Sequence, residues 1–367
     1  MSMSAFFRQG VLAQREEVPP YVQEQLAPLL QVVVIDSLQQ VRFGELDPFL
    51  IPLPKLPSSA QTTHADTEGL CTLLNQLIYN FAYARATSTA TKAFIADNLG
   101  QVLEDSAFVA ILSAANRSRE RWDRLWNVYE VREGGAISVE KRGSNKLVLP
   151  GHYLLTEAVG RPPSVGDSVS IHVPRESKGV QPGFYFAFGE TVASDYDDAH
   201  LSRFYFNVGA SEAAWLNTFV STLLNRYRIP YRMKCLAQPG LYERRDSAVL
   251  YVAKRFVPVI LKLLEDQRDV LTSHLREGVP LLTKQLARGI GAADEPGSSK
   301  SFGQSRSQLV SEGIVDAWVN GKQGVDARLE AIRLRFARNR LSLATPHLAA
   351  GSSDMYSFHG ENTQDDS

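Results

Sequence analysis

Apolar positions recur along the chain at helical spacing first and at strand spacing later. Leu70, Leu73, Leu74, Leu77, Ile78 and Phe81 fall on one side of a helix, so residues 67–116 are predicted to be helical. After Trp122 the period shortens to two. Residues 126–131 and 136–140 alternate on either side of Glu133-Gly134-Gly135, the pattern of a β-hairpin. Further strands are predicted at 167–173, 183–188, 203–208, 230–236 and 248–252. Helical spacing then returns. Ser211 is predicted to cap a helix with Trp215, Phe219 and Leu223 on one face, and 257–271 is a second helix that tolerates Pro258 in its first turn. Residues 304–319 and 327–341 are the third and fourth.

These elements predict an α+β fold: a helical N-terminal portion followed by a mostly antiparallel sheet packed with helices. Residues 1–66 hold an N-terminal helix and a connector in which Pro48, Pro52, Pro54 and Pro57 remove donors and favour an extended chain. Residues 67–120 read as a helical subdomain and 121–348 as the α+β domain. Residues 349–367, with Asp354, Glu361, Asp365 and Asp366, read as a disordered acidic tail.

With 367 residues, 44% hydrophobic and 22% charged, the composition is that of a globular chain with a sizeable core. Cys71 and Cys235 are too few for a disulfide framework or a four-thiolate zinc site. No stretch approaches the ~20 apolar residues of a membrane span. The first residues have no hydrophobic core ahead of Arg15, Glu16 and Glu17, so no secretory signal is visible and a cytoplasmic protein is expected. The net charge of −1 conceals an asymmetry: Arg203 to Arg340 holds 22 Lys+Arg against 13 Asp+Glu. That favours an anionic partner. Arg333, Arg335, Arg338 and Arg340 are accounted for as a solvated helix face, and nucleic acid is not expected because no recognition motif accompanies the charge.

The dinucleotide, Walker A, HExxH, GxSxG and kinase signatures are all missing, and the seven histidines are scattered. Neither a metal nor a cofactor is therefore expected. Four segments of the basic half carry candidate chemistry. In Arg203-Phe204-Tyr205-Phe206-Asn207, period two puts Arg203, Tyr205 and Asn207 on one face. In Tyr231-Arg232-Met233-Lys234-Cys235, Arg232 and Lys234 share a face. A desolvated Lys234 would have the low pKa a base needs, whereas an edge-strand lysine would only snorkel. In Glu243-Arg244-Arg245-Asp246, Arg245 is suited to gripping a phosphate with Asp246 orienting it, or to closing a turn. Ser301-Phe302-Gly303-Gln304 fits a capping box, and Lys300 and Arg306 beside a helix start suggest a bound anion. An ordinary cap with Arg306 in solvent is the alternative.

At these segments the chain resembles the HopA effector family, the plant-pathogen type III effector domain that also occurs as the lyase partner of class V lanthipeptide and thioamitide biosynthesis. The matching stretches are RFYFN (203–207), PYRMK (230–234), YERRDSAVLYV (242–252), ADEP (293–296) with SFGQSR (301–306), and TPHL (345–348), within a similarity from about Thr67 to Leu348. The biosynthetic members are similar in turn to the phosphothreonine lyases, which use a lysine base, an acid and arginines, with no metal or cofactor. By motif position the resemblance implies Lys234 as base, Tyr205 as acid and Arg203 beside the departing phosphate. Arg232, Arg245, Arg306, Ser301 and Gly303 would bind phosphate. It implies elimination of phosphate from phosphoserine or phosphothreonine in a precursor peptide, with a Ser/Thr kinase as partner. Two other functions fit the same features: an effector that binds a phosphorylated host partner without catalysis, and a scaffold for a kinase and its substrate. The first would place the protein inside a host cell.

Overall fold

A computed structural model of the protein describes residues 17–51, 64–86, 104–156, 160–297 and 300–358. Pro52, Pro54 and Pro57 of the expected connector, and the tail beyond 358, lie outside these residues. Helix α1 (Pro20–Val32) starts on a proline whose backbone angle suits a first turn, and it buries Val22, Leu26, Leu29 and Leu30. The β-branched run that follows continues as strand β1 (Val33–Ser37), which pairs with β2 (Gln40–Phe43), itself paired with β3 (Phe49–Leu50). Helix α2 (His64–Ile78) carries the predicted leucine stripe and widens at its end into a π turn, Tyr79–Tyr83. Helix α3 (Ser106–Ala115) is capped by Asp105, which accepts from the Phe108 amide at 3.0 Å.

The predicted hairpin is formed by β4 (Arg121–Val131) and β5 (Ile137–Lys141), joined through Gly134 and Gly135, whose φ of 79° and 81° explain the glycine pair. With β6 (Ser144–Val148), β7 (Tyr153–Leu155) and β8 (Ser168–Val173) they make a sheet ordered β6-β5-β4-β8-β7.

Most of the remaining strands build a larger sheet. These are β9 (Glu176–Ser177), β10 (Phe184–Phe188), β11 (Leu201–Phe206), which follows the short α4 (Asp195–Ala199), β12 (Tyr231–Leu236) and β13 (Ala248–Ala253). Helix α5 (Ala213–Arg226) lies between β11 and β12, and helices α6 (Val257–Asp266) and α7 (Arg268–His274) follow β13. Strands β14 (Lys284–Ala287) and β15 (Ile290–Asp294) complete an antiparallel sheet ordered β14-β15-β11-β13-β12-β10-β9. Helices α8 (Phe302–Val319) and α9 (Val325–Arg338) end the helical series. The α+β class holds.

Both faces of the large sheet are covered. Phe204, Phe206, Met233, Cys235 and Leu250 point into a core made with α3, α5, α6 and α7. Tyr205, Val249 and Ala293 point into a second core with α1, α2, α8, α9 and the small N-terminal sheet. Thus α2 and α3, neighbours in sequence, lie on opposite faces of the sheet.

Three expectations are corrected. Ser211 sits in a 3₁₀ turn ahead of α5, whose cap is Glu212 with no side-chain bond; the helix buries Leu216, Val220 and Leu224, one position on from the predicted stripe. The 257–271 helix is interrupted at Gln267. Residues 349–358 are not a disordered tail: Tyr356 and Phe358 are buried in the core. The Tyr356 hydroxyl donates to Asp294 at 2.6 Å and lies 2.7 Å from the Ser202 hydroxyl. Two aromatic side chains anchor a segment whose polar composition concealed them.

Candidate functional site

The register of the large sheet sets out the site before any side chain is considered. Arg203 on β11 stands opposite Tyr251 on β13, which stands opposite Arg232 on β12. In the next row of the same face come Tyr205, Val249 and Lys234. Over this face opens a cavity of about 490 Å³. Arg203, Lys234 and Tyr251 line its floor, Tyr79 comes from the π turn and Arg244 from the turn before β13, and Ser301 and Gln304 from the start of α8.

Lys234 is half-buried, and among the described residues it makes no ion pair or hydrogen bond. Its ammonium nitrogen lies 4.4 Å from the centre of the Phe184 ring and 5.9 Å from that of Tyr251. Burial pushes its pKa below the ordinary 10.5, and the nearby Arg203 and Arg244 cations push the same way against Tyr79 and Asp246. The neutral amine is therefore easier to reach here than on a free lysine.

Both arginines in the cavity are held in place. Arg203 is buried and grips the Glu295 carboxylate with Nε and Nη2, and its guanidinium lies 5.0 Å from the Tyr251 ring centre. Burial opposes its charge, but Tyr205, Glu295 and Tyr251 more than restore it. Arg244 makes a two-point pair with Asp246, both bonds at 2.8 Å, and donates to the Tyr79 hydroxyl at 3.1 Å. Each fork is fixed in direction by a carboxylate, which is how a planar cation is oriented for an incoming anion.

The capping box forms as predicted: Ser301 Oγ accepts from the Gln304 amide at 3.3 Å, and Gln304 Oε1 accepts from the Ser301 amide at 3.0 Å. Lys300 also lines the cavity and donates to Gln308 in the second turn of the helix. Gly303 faces elsewhere. A methyl group there would meet the Tyr83 ring at 2.4 Å and the Tyr79 ring at 2.8 Å, so this glycine lets α8 pack against the π turn that delivers Tyr79.

Arg203, Lys234 and Ser301 are thus brought together, whereas other sequence candidates are not. Arg306 is buried in the helix and donates to the carbonyls of Pro346 and Leu348, both at 2.7 Å; burial pushes its pKa down to about 10. Its position near a helix start is explained by main-chain acceptors, with no anion required. Arg245 packs over Gly278 in a different depression, and Asp246 orients Arg244, not Arg245. Arg232 is exposed and borders a neighbouring groove with Tyr251. Tyr205 is fully buried below the floor beside Phe302, and burial raises its phenol pKa, so it neither reaches the cavity nor gains acidity.

Sequence reasoning missed Tyr79, Arg244, Tyr251 and Glu295. Tyr251 had a signal, since it continues the alternation of β13. Arg244 lies in the matched YERRD motif beside the residue chosen. Tyr79 sits off the leucine stripe, where the π turn shifts the helical phase. Glu295 has only its place in the ADEP motif.

The fold and site define an antiparallel α+β protein with a cationic, aromatic-walled cavity at the start of a helix. Residues 175 to 348 match the model of the HopA1 effector protein family, and the motifs that carry the resemblance lie within that span. Two solved structures are similar to the chain. One is the effector protein from Pseudomonas syringae pv. tomato strain DC3000, at 15% identity, covering 79% of this chain and 91% of that one with a TM-score of 0.41. The other is the effector protein from Pseudomonas syringae pv. syringae strain 61, also at 15% identity, covering 79% and 100% with a TM-score of 0.39. No curated protein sequence matches the chain. Among the described residues no helix is long and apolar enough to cross a membrane.

Proposed function

We propose that the cavity binds the phosphate of a phosphoserine or phosphothreonine peptide and eliminates it, leaving a dehydroamino acid. The observation that carries this reading is Lys234: an amine that makes no ion pair among the described residues, its charge disfavoured by burial, on the floor of a cavity that also holds two oriented guanidinium groups. Lys234 takes the α-proton. The electron pair of that bond forms the Cα–Cβ double bond as the Cβ–O bond breaks, and the phosphate departs with the bonding pair. Arg203 and Arg244 stabilise the charge on the departing group. Tyr79 accepts from Arg244 and keeps its own O–H proton to donate to the leaving oxygen, the role first given to Tyr205. The reaction is acid–base chemistry throughout and consumes no oxidant. In a biosynthetic setting the substrate is a precursor peptide phosphorylated by a partner kinase.

Incubation with a phosphothreonine peptide should give a loss of about 98 Da, one phosphoric acid. Lys234→Ala should abolish it in a folded protein. The rate should rise with pH as the Lys234 ammonium deprotonates, with an apparent pKa below 10.5. Full activity of Lys234→Ala would overturn the base assignment.

A second reading is favoured by Glu295, which already holds the Arg203 fork, so that an incoming phosphate must compete with a carboxylate. Under it the protein is an effector that recognises a phosphorylated partner inside a host cell without turning it over. Binding of the phosphopeptide with no mass loss would select this reading.

A further inference from the structure

A second opening adjoins the first. A groove of about 290 Å³ runs between the end of the large sheet and the five-stranded sheet, and Tyr251 lines both openings. Its walls are apolar, with Val173, Pro174, Phe188, Val192, Ala193 and Val252 among them. The charges in its rim are mostly committed. Asp197 takes both bonds from Arg255, at 2.6 and 2.8 Å, and Asp198 lies 3.7 Å from Lys146. Arg232 makes no ion pair among the described residues, and its guanidinium sits 5.8 Å from the Tyr251 ring centre at the boundary between the two openings.

The strand sets the spacing between them. Arg232 and Lys234 are two residues apart on one face of β12, which at about 3.3 Å per residue is about 7 Å. An extended peptide has the same repeat. A chain lying along β12 with its phosphorylated residue over Lys234 therefore brings the side chain two residues away, on the same side, over Arg232 and into the groove.

We propose that the groove is a specificity pocket for an apolar side chain, aliphatic or aromatic, two residues from the phosphorylated residue of the same peptide. This rests on the phosphopeptide reading of the cavity and adds a second determinant to it. The occupant is apolar because the walls are, and because Asp197 and Asp198 are already paired with Arg255 and Lys146 and offer no free acceptor to a cationic side chain. At the small end of the roughly 300–1,000 Å³ range of ligand cavities, the groove suits one large side chain and not a folded partner.

The test uses the full chain and short phosphothreonine peptides of otherwise alanine and glycine, with Leu, Phe or Asp two residues before or two residues after the phosphothreonine. Affinity is read by fluorescence anisotropy and phosphate release by mass. Leu and Phe peptides should bind about ten-fold or more tightly than Asp peptides at one of the two positions. Ala193→Trp, which fills the groove from a half-buried loop position, should remove that preference while leaving the affinity of the Asp peptide unchanged. Val173→Asn, which puts an uncharged polar amide into the wall at the end of β8, should do the same and covers the case in which the tryptophan variant fails to fold. Equal binding of all peptides, or a preference for Asp, overturns the pocket while leaving the phosphate site standing. An apolar preference in binding with no phosphate release supports the pocket and overturns the elimination. Failure of every phosphopeptide to bind overturns both.

Discussion

At the scale of single residues, arginines of the basic half do three different jobs. Arg203 and Arg244 face the cavity in the grip of carboxylates. Arg306 and Arg328 are buried and hold main-chain carbonyls, Arg328 those of Leu30 and Val33 at 2.7 Å. Arg335 pairs with Asp316 and Arg333 with Glu330 on the helix surface, as a solvated face would. The positive surplus between 203 and 340 is therefore no measure of how strongly the site attracts an anion. These roles separate in experiment. Arg244→Lys keeps the charge but loses the fork, and phosphopeptide affinity measured by calorimetry should fall several-fold. Arg245→Ala should leave that affinity unchanged. Arg306→Ala orphans two buried carbonyls at about 1–3 kcal/mol each, so it should lower the unfolding midpoint in urea while the folded fraction still binds. A loss of affinity without a loss of stability would return Arg306 to the site.

Elements carry the site through two local irregularities. The π turn at Tyr79–Tyr83 brings Tyr79 to the cavity and stacks it on Tyr83, with ring centres 5.3 Å apart. Gly303 in the first turn of α8 leaves room for both rings. Gly303→Ala should force the rings aside at a cost of about 1–3 kcal/mol and weaken phosphopeptide binding, because Tyr79 supports Arg244. Denaturant unfolding and the same calorimetry check both effects; a variant as stable as the parent would show that the packing yields. Four strands of the large sheet, β10 to β13, were readable because their period-two alternation survives burial on both faces, whereas the short β9, β14 and β15 were not. The small N-terminal sheet was not, since its short β-branched run lies against a helix that ends on the same residue types.

For the whole molecule, the decisive feature is that one sheet separates two cores and the last segment ties into one of them. Tyr356 reaches Asp294 at the end of β15, next to Glu295, which holds Arg203. Lys254 also pairs with Asp294 at 2.8 Å, so this end of β15 is fixed from two directions. Truncation after Leu348 removes Tyr356 and Phe358 from the core and should lower the thermal midpoint by several degrees, since large buried aromatics are worth about 3–5 kcal/mol each. A truncated chain with the full-length midpoint would return residues 349–358 to the status of a tail.

The sequence alone determined what depends on neighbours along the chain: the hairpin, the strands that flank the site, the capping box of α8 and the pairing of faces that puts Arg232 with Lys234. It also carried the motifs of the family. Only the tertiary structure decided which cation faces the cavity, because strand period assigns a side chain to a face and says nothing of what covers that face. Arg244 and Arg245 are adjacent in one turn, and Arg306 stands five residues from the cavity-lining Ser301. Their roles diverge because Tyr79, Gly278 and the carbonyls of Pro346 and Leu348, which meet Arg244, Arg245 and Arg306 in turn, come from distant parts of the fold.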